Sequence, residues 1–199
     1  MEPLFLGGHP AIDFLNTALS PQGTPIELLP DGAALLSWLV SANLLDAATA
    51  AKLKRGHSAK SLDAVAAEAR DTREWARRWL SRWRSADTTS YGAELRRLNG
   101  LLSRASHEQT VAPDGDGLQL KERFLIETPE HLLALLAEQI ALLVTREDPS
   151  LLKQCAGSEC TLTFLDRTKA HKRMFCSPQT CGNRAKVTAF RERQRGHSQ

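Results

Sequence analysis

Four cysteines, Cys155, Cys160, Cys176 and Cys181, stand in the pattern C-x4-C-x15-C-x4-C and are all the cysteine in the 199-residue chain. Each pair can come from a tight turn, and the 15 intervening residues leave room for a β-hairpin. Zinc prefers four tetrahedral ligands, and soft thiolates suit it. A closed four-cysteine site leaves no position for water, so such a zinc is structural rather than catalytic. The second pair follows Ser177-Pro178, a helix-start signal. There the helix dipole and the nearby basic residues favour the thiolate form of Cys181. The competing uses are two disulfides, four inert thiols or an iron site; the clustering and a reducing compartment favour one zinc ion.

That compartment is itself an expectation. Met-Glu-Pro-Leu-Phe-Leu-Gly-Gly at the N-terminus has no basic region followed by a long apolar run, so no signal peptide is expected. The longest greasy stretch, 131–144, is interrupted by Glu138 and Gln139 and is too short to span a bilayer. The expected location is cytoplasmic, with no membrane partner. Apolar residues at 42% and charged residues at 25% exclude general disorder.

Charge divides the chain. Residues 151–199 hold ten Lys or Arg and three acids, a balance of +7 that leaves the first 150 residues at −4. A basic, cysteine-bearing tail on a mildly acidic body points to two modules, 1–147 and 148–199, joined at Asp148-Pro149-Ser150. The basic module expects a polyanion.

The body reads as mainly α with a small β-hairpin. A short helix is expected over 9–19, with an apolar stripe at Ile12, Leu15 and Leu19, then a loop over 20–30. Asp31 and Asp46 cap the next two helices. Residues 61–85, without Gly or Pro, predict one long helix with Trp75, Trp79 and Trp83 at helical spacing. A helix over 91–106 leads to a hairpin around Pro113-Asp-Gly-Asp-Gly117, and Thr128-Pro129-Glu130 opens a helix to about 145. In the tail, strands at 151–154 and 161–165 and a helix over 179–193 predict a treble-clef or ribbon-like module built from a hairpin and a helix.

At 100° per residue, Asn183, Val187, Phe190 and Gln194 share one side of that last helix, which is expected to pack on the zinc-held ribbon. Arg184, Arg191 and Arg195 form one basic stripe, and Lys186 and Arg193 a second. A small metal module with a basic helix can lie across phosphates or enter a DNA groove. The expected DNA contacts are Lys172, Arg173, Arg184, Lys186, Arg191, Arg193 and Arg195. A solvated basic face that binds nothing is the alternative.

Cys181-Gly182-Asn183-Arg184 carries a family resemblance. With Thr163-Phe164-Leu165-Asp166, the basic turn 167–173 and Phe175-Cys176-Ser177, the tail resembles the CGNR zinc finger. The front, through Ile12-Asp13-Phe14-Leu15-Asn16-Thr17, Asp31-Gly32 and Trp38-Leu39, resembles that family's usual partner, the ABATE domain. The resemblance implies a bacterial zinc-dependent DNA-binding protein, a stress-responsive transcription regulator, with the four cysteines as zinc ligands. Gly182 would allow close backbone approach to the knuckle, and Asn183 would support a ligand sulfur or knuckle carbonyl. Arg184 would reach a phosphate or guanine, or brace the knuckle.

Asp13, Asn16 and Thr17 place polar groups on an otherwise apolar helix. They read as a ligand cluster or, preferably, as a buried hydrogen-bond network. The three tryptophans read as core before effector pocket. Asp114-Gly-Asp-Gly117 lacks the glutamate of a calcium loop, since Leu125 stands twelfth. The six scattered histidines make no catalytic constellation, and there is neither a Gly-rich phosphate loop nor a His-Glu-x-x-His motif. The expectation is therefore a regulator and not an enzyme, with DNA, a homodimer partner and an unknown small effector as its partners. A zinc ribbon that binds protein or RNA without sequence-specific DNA binding is the alternative.

Overall fold

Capping side chains fix where several helices begin. The computed structural model describes residues 5–20, 23–85 and 91–196, without the side chains of 192, 195 and 196. Helix α1 (Pro10–Leu15) starts at His9, whose Nδ1 accepts from Ala11 N–H at 3.1 Å. The helix expected to run to residue 19 ends at Leu15, and strand β1 (Ala18–Leu19) pairs antiparallel with β2 (Ile26–Glu27), which lies in the segment expected to be a loop. Asp31 caps α2 (Gly32–Ser41) and Asp46 caps α3 (Ala47–Gly56), each accepting from a backbone N–H at 2.8 Å. Then come α4 (Ala59–Arg84), α5 (Gly92–Leu102), the hairpin of β3 (His107–Asp114) and β4 (Gly117–Phe124), and α6 (His131–Arg146). The tail adds β5 (Leu152–Gln154), β6 (Thr163–Leu165), a π-helical turn Pro178–Gly182 and α7 (Asn183–Gly196). The fold is mostly helical with small antiparallel hairpins. Among the described residues no helix is long and apolar enough to cross a membrane.

The chain forms two compact units that interleave in sequence. One comprises Leu29–Arg73 and Thr88–Leu142. Its α2 begins against α4: a Cβ on Gly32 would lie 2.3 Å from Leu62 Cβ, and Gly32 N–H donates to Asp63 at 2.9 Å. Leu35, Leu39, Leu62, Val65, Leu132 and Leu136 are among its buried side chains. Both faces of β3–β4 are largely exposed, with Val111, Leu118 and Leu120 each more than 60% accessible.

The other unit comprises Met1–Leu28, Glu74–Asp87 and Leu143–Gln199, so its membership does not follow the sequence division at residue 148. Its core cluster joins Leu19 to Leu162, Phe164 and the four cysteines, with Leu6, Ile26, Leu28 and Phe175 packed around it. The edge of β6 not paired to β5 is occupied by the N-terminal segment. Leu165 N–H donates to Gly7 C=O at 2.8 Å, and Asn16 bonds Thr163. Arg77 of α4 ties the turn after α1 by donating to the carbonyls of Leu15 and Ala18. Trp75, Trp79 and Trp83 are buried, with the first two rings 5.5 Å apart.

Candidate metal centre

The two cysteine pairs meet where the β5–β6 hairpin faces the start of the last helix. Cys155 follows β5 directly, and its N–H donates to Leu162 C=O at 2.9 Å. Cys160 closes the first knuckle by donating its N–H to Gly157 C=O at 3.0 Å. Ser177 caps the following turn by accepting from Thr180 N–H at 3.3 Å, and Pro178 occupies the first helical position. Gly182 N–H reaches back five residues to Ser177 C=O, which makes the turn π-helical and points Cys181 inward.

All four Sγ atoms lie within 4.8 Å of one another and all four residues are buried. Cys160 and Cys176 are 3.8 Å apart, and Cys176 and Cys181 are 3.6 Å apart. Four zinc–sulfur bonds in a tetrahedron require an edge of about 3.8 Å. None of the four is in a disulfide. Without a cation the set cannot ionise together: burial and the neighbouring thiols push Cys160 up to about 11 and Cys176 further still. Cys155 shifts the other way. Burial raises it, but the Cys176 and Gly157 amides, 3.3 and 3.5 Å from its sulfur, outweigh burial and bring it below its ordinary value.

A glycine outside the Cys-Gly-Asn-Arg run shapes this centre. A Cβ on Gly157 would lie 3.2 Å from Cys160 Cβ and 3.4 Å from Cys181 Sγ. On Gly182 it would meet nothing closer than 3.5 Å. The close approach expected at Gly182 is therefore made at Gly157, recognisable in sequence as the glycine inside the first knuckle, Cys-Ala-Gly-Ser-Glu-Cys. The Asn183 side chain is exposed and makes no hydrogen bond to a ligand sulfur among the described residues, contrary to the supporting role expected of it.

Two basic residues of the tail brace this scaffold. Arg173 lies over the Phe164 ring at 4.2 Å, and its guanidinium donates to the carbonyls of Phe175 and Cys176. Arg173, expected among the DNA contacts, is thus held by the scaffold, with its guanidinium on part-buried carbonyls. Lys153 donates to the buried Asp166 at 2.7 Å and to His171 C=O. Burial would raise the Asp166 carboxyl. The hydrogen bonds from Lys153, the Thr168 hydroxyl and amide, and the Arg173 amide outweigh it and hold the group well below the usual carboxylate range.

The remaining expected contacts stay on the surface. Lys172, Arg184, Lys186, Arg191 and Arg193 are exposed; the Arg195 side chain lies outside the described residues. Val187 and Phe190 are 40% and 56% accessible, so the helix side expected to pack on the ribbon faces solvent. On the opposite side of the helix lie the half-buried Ala185 and the exposed Ala189. Both line two cavities beside the helix, of about 540 and about 230 Å³.

Asp13, Asn16 and Thr17 are buried and bonded to backbone. Asp13 accepts from Gly7 N–H at 2.8 Å, Asn16 clasps Thr163, and Thr17 donates to Phe14 C=O at 2.7 Å. The three side chains thus form a hydrogen-bond network with the backbone. Asp13 is pushed up to about 6 by burial, with the Gly7 and Leu6 amides opposing.

Two family models match. One, the CGNR zinc finger, covers residues 152–194. The other, ABATE, described as "Putative stress-induced transcription regulator", covers residues 8–147. No curated protein matches the chain. The cysteine geometry and the zinc-finger match together give one structural zinc ion held by Cys155, Cys160, Cys176 and Cys181.

Proposed function

For a chain that belongs to the ABATE family and ends in a CGNR zinc finger, we propose the role of a zinc-dependent, DNA-binding transcription regulator. The observation that carries this reading is the contrast between the two groups of basic residues in the tail. Lys153 and Arg173 are half-buried against the cysteine scaffold, whereas Arg184, Lys186, Arg191 and Arg193 are exposed along the 14-residue helix that follows the last zinc ligand. Zinc fixes the start of that helix and so its aim. Arginine and lysine on such a helix attract phosphate and release counterions.

The helical body senses a small effector or joins two copies. One small module reads few base pairs, so a homodimer would supply useful specificity. A site of four reduced thiols suits the cytoplasm. The role is regulatory rather than enzymatic: the polar cluster at Asp13, Asn16 and Thr17 holds backbone and offers no reacting group.

Selection of random duplex DNA on zinc-loaded protein, beside a chelated sample, tests the reading. An enriched motif lost on chelation supports it. Charge reversal at Arg184 and Arg191 should abolish binding while zinc stays bound, and unchanged affinity would sink the assignment of this helix. One observation favours a protein-interaction module instead. The exposed apolar face of β3–β4, at Val111, Leu118 and Leu120, is of the kind that partner proteins cover. That reading predicts no enriched DNA motif.

A further inference from the structure

Helix α7 faces solvent along Asn183, Val187, Phe190 and Gln194. At 100° per residue these four fall within about 60° of one another around the helix. Ala185 and Ala189 lie opposite and line the cavities on both flanks, so they mark the side turned to the zinc module. The row therefore points away from that module, although its two central members are apolar. Basic pairs bound it: Arg184 and Arg191 on one flank, Lys186 and Arg193 on the other. Members of each pair are seven residues apart, about 10 Å along the axis.

Resting on the DNA-binding reading, we propose that Asn183, Val187, Phe190 and Gln194 form the base-reading row of α7. The row selects A·T pairs in the major groove, while the flanking pairs hold phosphates of the two strands. The groove, about 12 Å wide, admits one helix. Asparagine and glutamine match the N6 donor and N7 acceptor of adenine, and valine and phenylalanine meet the C5 methyl of thymine. The row itself has no arginine or lysine, the usual partner of guanine O6 and N7, so its chemistry favours A·T over G·C. The flanking cations position the helix and carry no sequence information. An apolar centre on a solvated helix is otherwise unexplained by the packing of this unit. Between two phosphate-binding flanks it has a partner of defined chemistry.

The test is random-duplex selection on zinc-loaded protein, run for the wild type, Asn183→Ala, the double variant Val187→Ala with Phe190→Ala, and Arg191→Glu. All four positions are exposed, and zinc content and helical circular dichroism check that each variant folds. The wild type should yield a motif rich in A·T. Asn183→Ala should erase an adenine preference at one position, by roughly 5- to 150-fold for a bidentate contact, and the double variant should erase a thymine preference. Neither should change the salt dependence of non-specific binding. Arg191→Glu should weaken all sequences alike and lower the salt slope by about 1. A motif unchanged in both row variants, or one of G·C pairs at the positions they alter, overturns the proposal while DNA binding stands. Failure of zinc-loaded wild type to bind any duplex overturns the DNA reading, and the row with it.

Discussion

Asn16 and Thr163 exchange two hydrogen bonds across 147 residues of chain: Asn16 Nδ2 donates to Thr163 C=O at 2.8 Å, and Asn16 Oδ1 accepts Thr163 N–H at 3.0 Å. One side-chain amide thus takes the place of a neighbouring strand on the outer edge of β6. It also joins the segment matched as ABATE to the segment matched as zinc finger. An edge capped in this way offers no ladder to another chain.

Replacing Asn16 with Ala strands the part-buried N–H and C=O of Thr163. A loss of about 2–4 kcal/mol in unfolding free energy is expected. Asn16→Asp should do no better, because its acceptor-only carboxylate faces the Thr163 carbonyl. Denaturant unfolding of the zinc-loaded protein, followed by tryptophan fluorescence, measures both. A change within about 0.5 kcal/mol would remove the bridge from any account of stability.

The tight knuckle makes a sharper prediction about zinc. In Gly157→Ala the new methyl would lie 3.2 Å from Cys160 Cβ, whose sulfur the metal holds in place, so the ligand cannot yield without stretching the site. Zinc affinity should fall by roughly 10- to 100-fold, the range seen when groups supporting metal ligands are altered. Gly182→Ala, with ordinary contacts around its Cβ, should change affinity only slightly. Competition with a chromophoric chelator compares the two. Equal effects would mean that the first knuckle has slack.

Local chemistry made much of this legible in the sequence. Asp31, Asp46 and Ser177 act as the caps their positions predict, and the cysteine spacing brings four sulfurs together. What was hidden depends on three-dimensional contacts that neither periodicity nor spacing ranks. Arg173 counts as one more positive charge until Phe164 and two carbonyls surround it. Helical periodicity identified the row at Val187 and Phe190 as one face but could not say which body, if any, it packs on. The pairing of β1 with β2, and the place of Leu6, Leu19, Ile26 and Leu28 beside the zinc finger, come from a core that the cysteines and Leu19 build together.

Asp166 should matter more than the lysine that pairs with it. Asp166→Asn replaces an acceptor facing Lys153, Thr168 and the Arg173 amide with a group that must turn an N–H toward one of those donors. Lys153→Met leaves the Thr168 and Arg173 bonds in place. The expected order of Tm is wild type, then Lys153→Met, then Asp166→Asn, read from thermal unfolding of zinc-loaded protein. The reverse order would show that the ion pair, and not the amide cradle, holds this turn.

Asp13 predicts a pH effect of the opposite kind from an ordinary paired carboxylate. Its pKa is raised by burial from 3.8 to about 6 in the folded protein. A raised value means that the folded state holds the proton more tightly than the unfolded chain does. Its contribution to stability is therefore fully present below about pH 4 and lost as pH rises through about 6. Asp13→Asn keeps an Oδ1 acceptor for Gly7 N–H and carries no charge. The stability difference between this variant and wild type should be near zero at pH 4, grow through pH 6 and then level off in favour of asparagine. The plateau should be of order 1–3 kcal/mol. Zinc release in acid and the titration of His9, lowered chiefly by burial, occur in both proteins and cancel from the difference. Paired denaturant curves at half-unit steps from pH 4 to 7.5 measure it. A flat difference would show that the Asp13 carboxylate is stabilised as an anion by the Gly7 and Leu6 amides, and that burial is the lesser effect.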